Sequence, residues 1–375
     1  MNHQNIFVYG LLQSKYDNEA AQMLRKHATL IGPASIPGAV FDLGEYPAVF
    51  FEKNMKGMVR GELYYIHGDS NQLLQYLDEF EGIGPDEEKP FEYRRGIVRA
   101  QCQGTNRPAL CYLYNRAIIQ ILNGDGLKHV LEGLLAGQIP GELLIVRECL
   151  MDGPVSDSLS DLRVFYKKRS QFLAELDPEL TDSRYQEISR SEFDKMRQIP
   201  KKSVICLWFE RDLFCQVNLW FVAWLLREYV EEPHVFLVEP GPRSPYSFNA
   251  LPAHELYEAF EQRHRLTPEQ LSLFAELWEC YAREDSSSLV EIAHSLRSWF
   301  PFVSDAVQAH LDRQPNEGSL GRPMESLRTI IGEWEAEHNE SPKFGTVFQE
   351  FCRREAIYGY GDLQVLRMIE KLSKD

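Results

Sequence analysis

The apolar pattern of this chain changes its period twice, and that limits what it can fold into. Up to about residue 115, short alternating segments dominate. Asn5–Tyr9, Val59–Tyr65 and Ala109–Tyr114 read as strands, with further short strands in Pro37–Asp42 and Tyr46–Val49. From Ala117 to Val238, apolar strands take turns with helices: 117–122, 141–146, 203–209 and 234–238 against 127–135, a basic run around Lys167, and the apolar Leu213–Tyr229. That alternation predicts a mainly parallel sheet. From Ala253 onward the spacing is helical almost throughout, and Thr267-Pro268-Glu269-Gln270 supplies an N-cap with a first-turn proline. The expected architecture is therefore multidomain α/β. A strand-rich domain spans 1–117, an α/β domain spans 118–245, and an all-helical domain spans 246–375 beyond the Pro240–Pro245 linker.

Length and charge agree with several domains and narrow the function. The chain has 375 residues, with a formal net charge of -16. Such acidity disfavours nucleic acid and anionic membranes as partners. The short helices of the last third are read accordingly as a packing or protein-partner domain rather than a DNA binder. No apolar run reaches the roughly 18 residues that span a bilayer. The opening MNHQNIFVYG lacks a basic segment followed by a long apolar one, so no signal peptide is expected. The seven cysteines are scattered without a CxxC pair, which suits reduced core residues in a cytoplasmic protein. Neither cysteine nor histidine spacing suggests a zinc site.

Two places could carry chemistry. Asn71–Phe80 has a helical rhythm, with Leu73, Leu74 and Leu77 on one face, and Gly82 and Gly84-Pro85 stop it. Glu81 thus falls at a helix end, where a side chain can be aimed into a cleft. Read alone, it is one more solvated acid in a run with Asp78, Glu79, Asp86, Glu87 and Glu88. In the α/β half, ligands bind beyond the carboxyl ends of parallel strands. Asn123, Asp125, Asp152 and Asp212 fall there, and they form a second candidate polar site. Helix capping and plain turns explain the same residues. No GxGxxG or GxxxxGK[ST] accompanies them.

The order of segments around Glu81 resembles the gamma-glutamylcyclotransferase-like family. The family's Tyr-Gly-x-Leu turn is matched by Tyr9, Gly10 and Leu12, its Pro-Gly by Pro37 and Gly38, and its Tyr-Pro by Tyr46 and Pro47. The Val-x-Gly-Glu-x-Tyr strand corresponds to Val59, Gly61, Glu62 and Tyr64, and Leu-Asp-x-x-Glu to Leu77, Asp78 and Glu81. Tyr93, Arg95 and Val98 match the next strand, and Tyr112 and Tyr114 the closing Tyr-x-Tyr. Leu-Asp-Glu-Phe-Glu is most similar to the branch acting on gamma-glutamylamines. The resemblance covers residues 5–117. One departure stands out: Leu11 occupies a place where the family usually has Ser or Thr.

The resemblance implies a mixed β-barrel that cleaves a small gamma-glutamyl amide with no cofactor or metal. The substrate's own α-amine attacks its γ-carbonyl, 5-oxoproline forms, and the other amine leaves. Glu81 is implied as the general base and then acid. Tyr9, Gly10, Leu11 and Leu12 would bind substrate through backbone N–H groups. Tyr46, Tyr112 and Tyr114 are candidate pocket walls, whereas Arg95 reads as a surface ion pair. Residues 118–375 resemble an uncharacterised bacterial module with a Gly-Asp turn, a Gly-Pro loop and a Trp-x-x-x-Asp turn, which brings no activity with it. Two other readings stay open: a first domain that binds a gamma-glutamyl ligand without turnover, and an α/β domain active on a nucleotide-like ligand.

Overall fold

A computed structural model describes residues 4–51 and 55–373. β1 (Asn5–Val8) leads through the Gly10 turn to the helix Glu19–His27, capped by Asn18, whose side chain accepts from the Ala21 N–H at 2.8 Å. Then follow β2 (Ala28–Pro37), β3 (Ala39–Asp42), β4 (Pro47–Phe50) and β5 (Met58–Ile66). After the helix Asn71–Phe80 come β6 (Tyr93–Cys102) and β7 (Thr105–Tyr114). β1, β5, β2, β6 and β7 form a closed barrel in that order, and β7 returns to β1 in parallel. β3 and β4 make a separate hairpin. Gly61 lets β5 lie against β1, because a Cβ there would meet the Val8 carbonyl and the Phe7 ring.

β2 departs from the sequence reading, which gave 28–36 no strand. Gly32, Pro33 and Pro37 break its apolar alternation, and the register slips between Leu30 and Gly32, where Gly32 takes φ +148. A β-bulge of this kind hides a strand from a period-two pattern.

The second sheet has the order β12-β11-β10-β8-β9. β8 (Ile118–Asn123), β9 (Glu142–Val146), β10 (Val204–Trp208) and β11 (His234–Val238) are parallel, and β12 (His264–Arg265) is antiparallel to β11. Every residue of β10 is buried. The helix Leu213–Tyr229 is mostly apolar and buried nearly all round as far as Leu226, because the sheet covers one side and the helix Pro268–Ala282 the other; Phe221 and Trp278 meet with ring centroids 4.8 Å apart.

Two expected boundaries do not divide the core. At 117/118, barrel residues such as Val8, Leu12 and Tyr114 pack in one cluster with Ile118, Leu122, Trp208 and Phe260. At 245/246, the expected all-helical domain instead contributes β12 to the sheet; its helix Ala253–Glu261 packs into the cluster shared with the barrel, and its helices from Pro268 through Asp312 join the core of the Leu213–Tyr229 helix. Phe260, on the helix Ala253–Glu261, lies between Phe41 of the barrel and Trp208 of the sheet. The Arg263 guanidinium sits 4.3 Å over both the Phe41 and Phe260 rings. The helices Arg322–His338, Phe344–Arg354 and Asp362–Leu372 have a small core of their own, built on Leu327, Val347, Phe351 and Val365, and a further cluster around Phe7, Leu63, Val98 and Leu113 is made of barrel-region residues alone. Apolar faces this large bury one another wherever the loops permit, and a Pro/Gly linker in the sequence does not prevent it.

Candidate active site

One end of the barrel opens into a cavity of about 360 Å³. Its floor is the turn after β1, where Tyr9, Gly10, Leu11 and Leu12 all line the space. Two side chains brace that turn. Glu62 accepts from the Ser14 N–H at 2.7 Å and its hydroxyl at 2.6 Å, and Asn18 donates to the Leu11 carbonyl at 2.7 Å. Among the described residues, no hydrogen bond occupies the backbone N–H groups of Gly10, Leu11 or Leu12. They are free to face an anion or a polarised carbonyl.

Glu81 closes the helix Asn71–Phe80 and lines the same cavity. Leu73 and Leu77 bury that helix's inner face, which fixes where its end points. Gly82, at φ +67, then turns the chain away. Loss of hydration pushes the Glu81 carboxyl up to about 7, and the nearby charge of Asp78 adds to the shift. Asp78 itself is held outside the cavity. It takes Arg95 at 3.0 Å and the Tyr112 hydroxyl at 2.8 Å. Arg95 is thus an ion pair that also orients a wall residue. Glu79 is exposed and faces away from the cavity.

The tyrosines are walls whose hydroxyls are already committed. Tyr9 donates to the Tyr112 carbonyl at 2.7 Å, Tyr46 to Glu92 at 2.6 Å and Tyr93 to the Pro47 carbonyl at 3.1 Å. Burial raises the pKa of Tyr9, Tyr93 and Tyr112, so these phenols stay neutral. Tyr114 corrects the sequence reading, because it does not line the cavity. It lies one strand repeat beyond Tyr112, packs edge-on against Tyr93 with centroids 5.6 Å apart, and donates to the Lys202 carbonyl at 2.5 Å.

Sequence reasoning missed the outer end of the cavity, formed by Glu92, Tyr93, Arg116 and Lys202. Lys202 comes from the turn before β10 and reaches Glu92 at 2.6 Å. Burial pushes the Glu92 carboxyl up, but hydrogen bonds from Lys202 and Tyr46 outweigh it and hold it below its ordinary value. No local pattern pairs residues 110 positions apart.

The second candidate set does not assemble into one site. Asp125 is clamped by Arg147 through bonds of 2.6 and 2.7 Å, which lower its pKa. Asp152 takes Gln364 at 2.5 Å and Arg313 at 3.4 Å. Asp212 is a buried N-cap, accepting from the Cys215 N–H at 3.0 Å, and burial pushes its carboxyl up to about 6. Asn123 accepts from Asn218 at 2.8 Å and points its amide at the Cys215 sulfur, 3.0 Å away. Asn123 and Asp212 meet around Cys215, while Asp125 and Asp152 are engaged elsewhere. Strand ends gather polar residues, but each here is satisfied by a cap, an ion pair or a side-chain hydrogen bond. Among the described residues, no group of His, Cys, Asp or Glu is arranged to hold a metal ion.

A family model described as gamma-glutamyl cyclotransferase, AIG2-like, matches residues 6–133. The N-terminal segment is gamma-glutamyl cyclotransferase-like. This match runs past residue 117 through β8 and its following helix, in keeping with the shared core. YkqA from Bacillus subtilis is similar at 24% identity over 30% of this chain and 36% of its own, with a TM-score of 0.24. An AIG2-like protein from Mus musculus matches at 24% identity over 30% of this chain and 78% of its own, TM-score 0.24. An uncharacterized protein, PH0828 from Pyrococcus horikoshii, matches at 20% identity over 29% and 76%, TM-score 0.22. No curated protein matches the sequence. No described helix is long and apolar enough to cross a membrane.

Proposed function

We propose that the barrel cavity cleaves a gamma-glutamyl amide by attack of the substrate's own α-amine on its γ-carbonyl. The C–N bond to the leaving amine breaks as the lactam of 5-oxoproline closes. Nucleophile and electrophile are tethered in one molecule, so proximity is largely supplied by the substrate. Proton transfer is what the protein must add. The Glu81 carboxylate takes a proton from the substrate ammonium and returns it to the departing nitrogen, a service typically worth ~10²–10⁴-fold. A carboxyl pushed up to about 7 can do both near neutral pH. The open N–H groups of Gly10, Leu11 and Leu12 would receive the substrate carboxylate and the negative charge that grows on the carbonyl oxygen. Leu11 removes a hydroxyl from this turn but leaves its N–H donors in place.

The observation that carries this reading is the meeting of the Glu81 carboxylate, which has no hydrogen-bonded partner among the described residues, with the unoccupied N–H groups of Gly10, Leu11 and Leu12 in one cavity. The test is release of 5-oxoproline by the full chain from a panel of gamma-glutamyl amides, gamma-glutamyl-lysine among them. Turnover is expected. Binding of these amides without release would replace the enzyme by a ligand-binding module, with Leu11→Ser the first change to try for restoring turnover.

A further inference from the structure

A second cleft shares no lining residue with the barrel cavity. It runs between the helix Leu162–Leu176, together with the loop after β9, and the C-terminal helix Asp362–Leu372. Its two walls belong to different cores. Leu162 and Phe165 sit in the core of the Leu213–Tyr229 helix, whereas Val365 sits in the small core around Leu327. Junctions of this kind are favoured places for small-molecule sites. Two cavities of about 230 and 340 Å³ adjoin there, and Asp152, Phe172, Gln364 and Arg367 line both. The first is mainly apolar, with Leu173, Leu176 and Leu180 on one side and Leu363 on the other. Phe172, Leu176, Leu180 and Leu363 belong to neither core, and Leu363 is 53% exposed. Phe172 is nonetheless held in place. Gly153, at φ +78, leaves room that a Cβ would take from the ring, and the Arg169 guanidinium lies 5.2 Å from the ring centroid. Arg169 is in turn fixed by Glu148 at 2.6 Å, both side chains being fully buried. That wall is rigid before any ligand arrives, which lowers the cost of binding one.

The second cavity supplies charge. Arg367 and Lys371 line it one helical turn apart, and neither forms an ion pair among the described residues. Like charges at that spacing repel, so an anion held between them is favourable. Asp152 does not play that part, because Gln364 at 2.5 Å and Arg313 at 3.4 Å already meet it. Asp177 and Asp362 line only the first cavity, so they keep an anionic head out of it and set which way round a ligand lies. We infer that the cleft is a second small-molecule site, independent of the reaction proposed for the barrel, and that it takes a small amphiphilic carboxylate. The apolar body lies against Phe172, Leu176 and Leu363 in the first cavity. The carboxylate meets the Arg367 fork and the Lys371 point charge in the second. Because the ligand touches both walls, its binding ties the C-terminal helices to the larger core.

Octanoate is the probe, and 1-octanol, with the same chain length and no charge, is its match. Titrated calorimetrically into the full chain, octanoate should bind saturably, and octanol should bind roughly ten- to a hundredfold more weakly, the range of a charge-assisted contact. Arg367→Gln should bring the two affinities together, and Arg367→Lys should keep part of the difference. Leu363→Asp, at a half-exposed position outside both cores, should weaken both ligands. Octanoate should also slow amide hydrogen exchange in the helices Leu162–Leu176 and Asp362–Leu372 and leave the barrel strands unchanged. Absence of saturable octanoate binding overturns the inference, as does equal binding of octanoate and octanol by the wild-type chain. Glu81→Gln reads whether octanoate enters the barrel cavity instead. Affinity lost in Glu81→Gln but kept in Arg367→Gln, or exchange slowed in the barrel alone, would place the ligand there and overturn the inference too.

Discussion

The barrel cavity and the carboxyl edge of the parallel sheet both hold acids whose pKa is pushed up by burial. Glu81 rises to about 7 in the first; Glu210 rises to about 7 and Asp212 to about 6 in the second. What separates them is where their oxygens go. Glu210 faces the Cys215 sulfur at 3.2 Å and the Phe248 N–H at 3.3 Å, and Asp212 caps a helix. Gly359 from the C-terminal tail lies so close to Asp212 that a Cβ there would collide with the carboxylate. Glu81 has an open cavity before it and no such partner among the described residues. An elevated carboxyl pKa therefore reports desolvation and becomes a candidate site only where unspent lone pairs face a space that a ligand can fill.

The widest separation between the two regions is expected in turnover. Glu81→Gln keeps size and most hydrogen bonding but cannot shuttle a proton, so 5-oxoproline release should fall by ~10²–10⁴-fold with folding intact. Asp212→Asn and Glu79→Gln should leave the rate near wild type. Equal losses in Glu81→Gln and Asp212→Asn would erase the distinction between the two regions.

Next in size is the effect of cutting the regions apart. A fragment ending at residue 117 removes Ile118, Leu122, Trp208 and Phe260 from the cluster they share with the barrel. It should lose cooperative unfolding and solubility, read by thermal melts and sedimentation, while the full chain stays folded. A soluble fragment melting near the full chain's temperature would mean that the interface contributes little to barrel stability.

The smallest effect is on stability against pH. The folded pKa of Glu81 lies above its unfolded value near 4.5, so its protonated form favours the native state below that pH. This contribution is lost as pH rises through about 7. Glu81→Gln should therefore gain on wild type by ~1–3 kcal/mol between pH 4.5 and 8, followed by denaturant midpoints. Asp212→Asn should show the same sign over a lower window, from about 4 to 6. A flat difference for Glu81→Gln would show that its carboxyl is not desolvated.

Much of this was legible in the sequence because local rules were enough. The helices Asn71–Phe80 and Leu213–Tyr229 and the strand His234–Val238 follow from apolar spacing and stop signals, and their observed limits agree with that reading. Glu81 could be placed at a helix end for the same reason. β2 was not legible, since its glycine and prolines suit a bulged barrel strand only once β5 and β6 flank it. The outer cavity was hidden because Lys202 meets Glu92 through tertiary packing. Tyr114 was misjudged because period two puts it on the same strand face as Tyr112 but cannot say how deep along the strand the cavity ends.

The barrel closes unevenly. β6 and β7 pair along their whole length, whereas β1 meets β7 through the single register pair Ile6↔Leu110. The least costly local opening of the barrel is thus along that seam, and the Tyr9–Leu12 turn continues directly from β1. Amide hydrogen exchange should begin there, well ahead of the β6–β7 ladder. A ligand held by the turn's N–H groups would act as a latch on the seam, so occupancy and closure of the barrel would be thermodynamically linked.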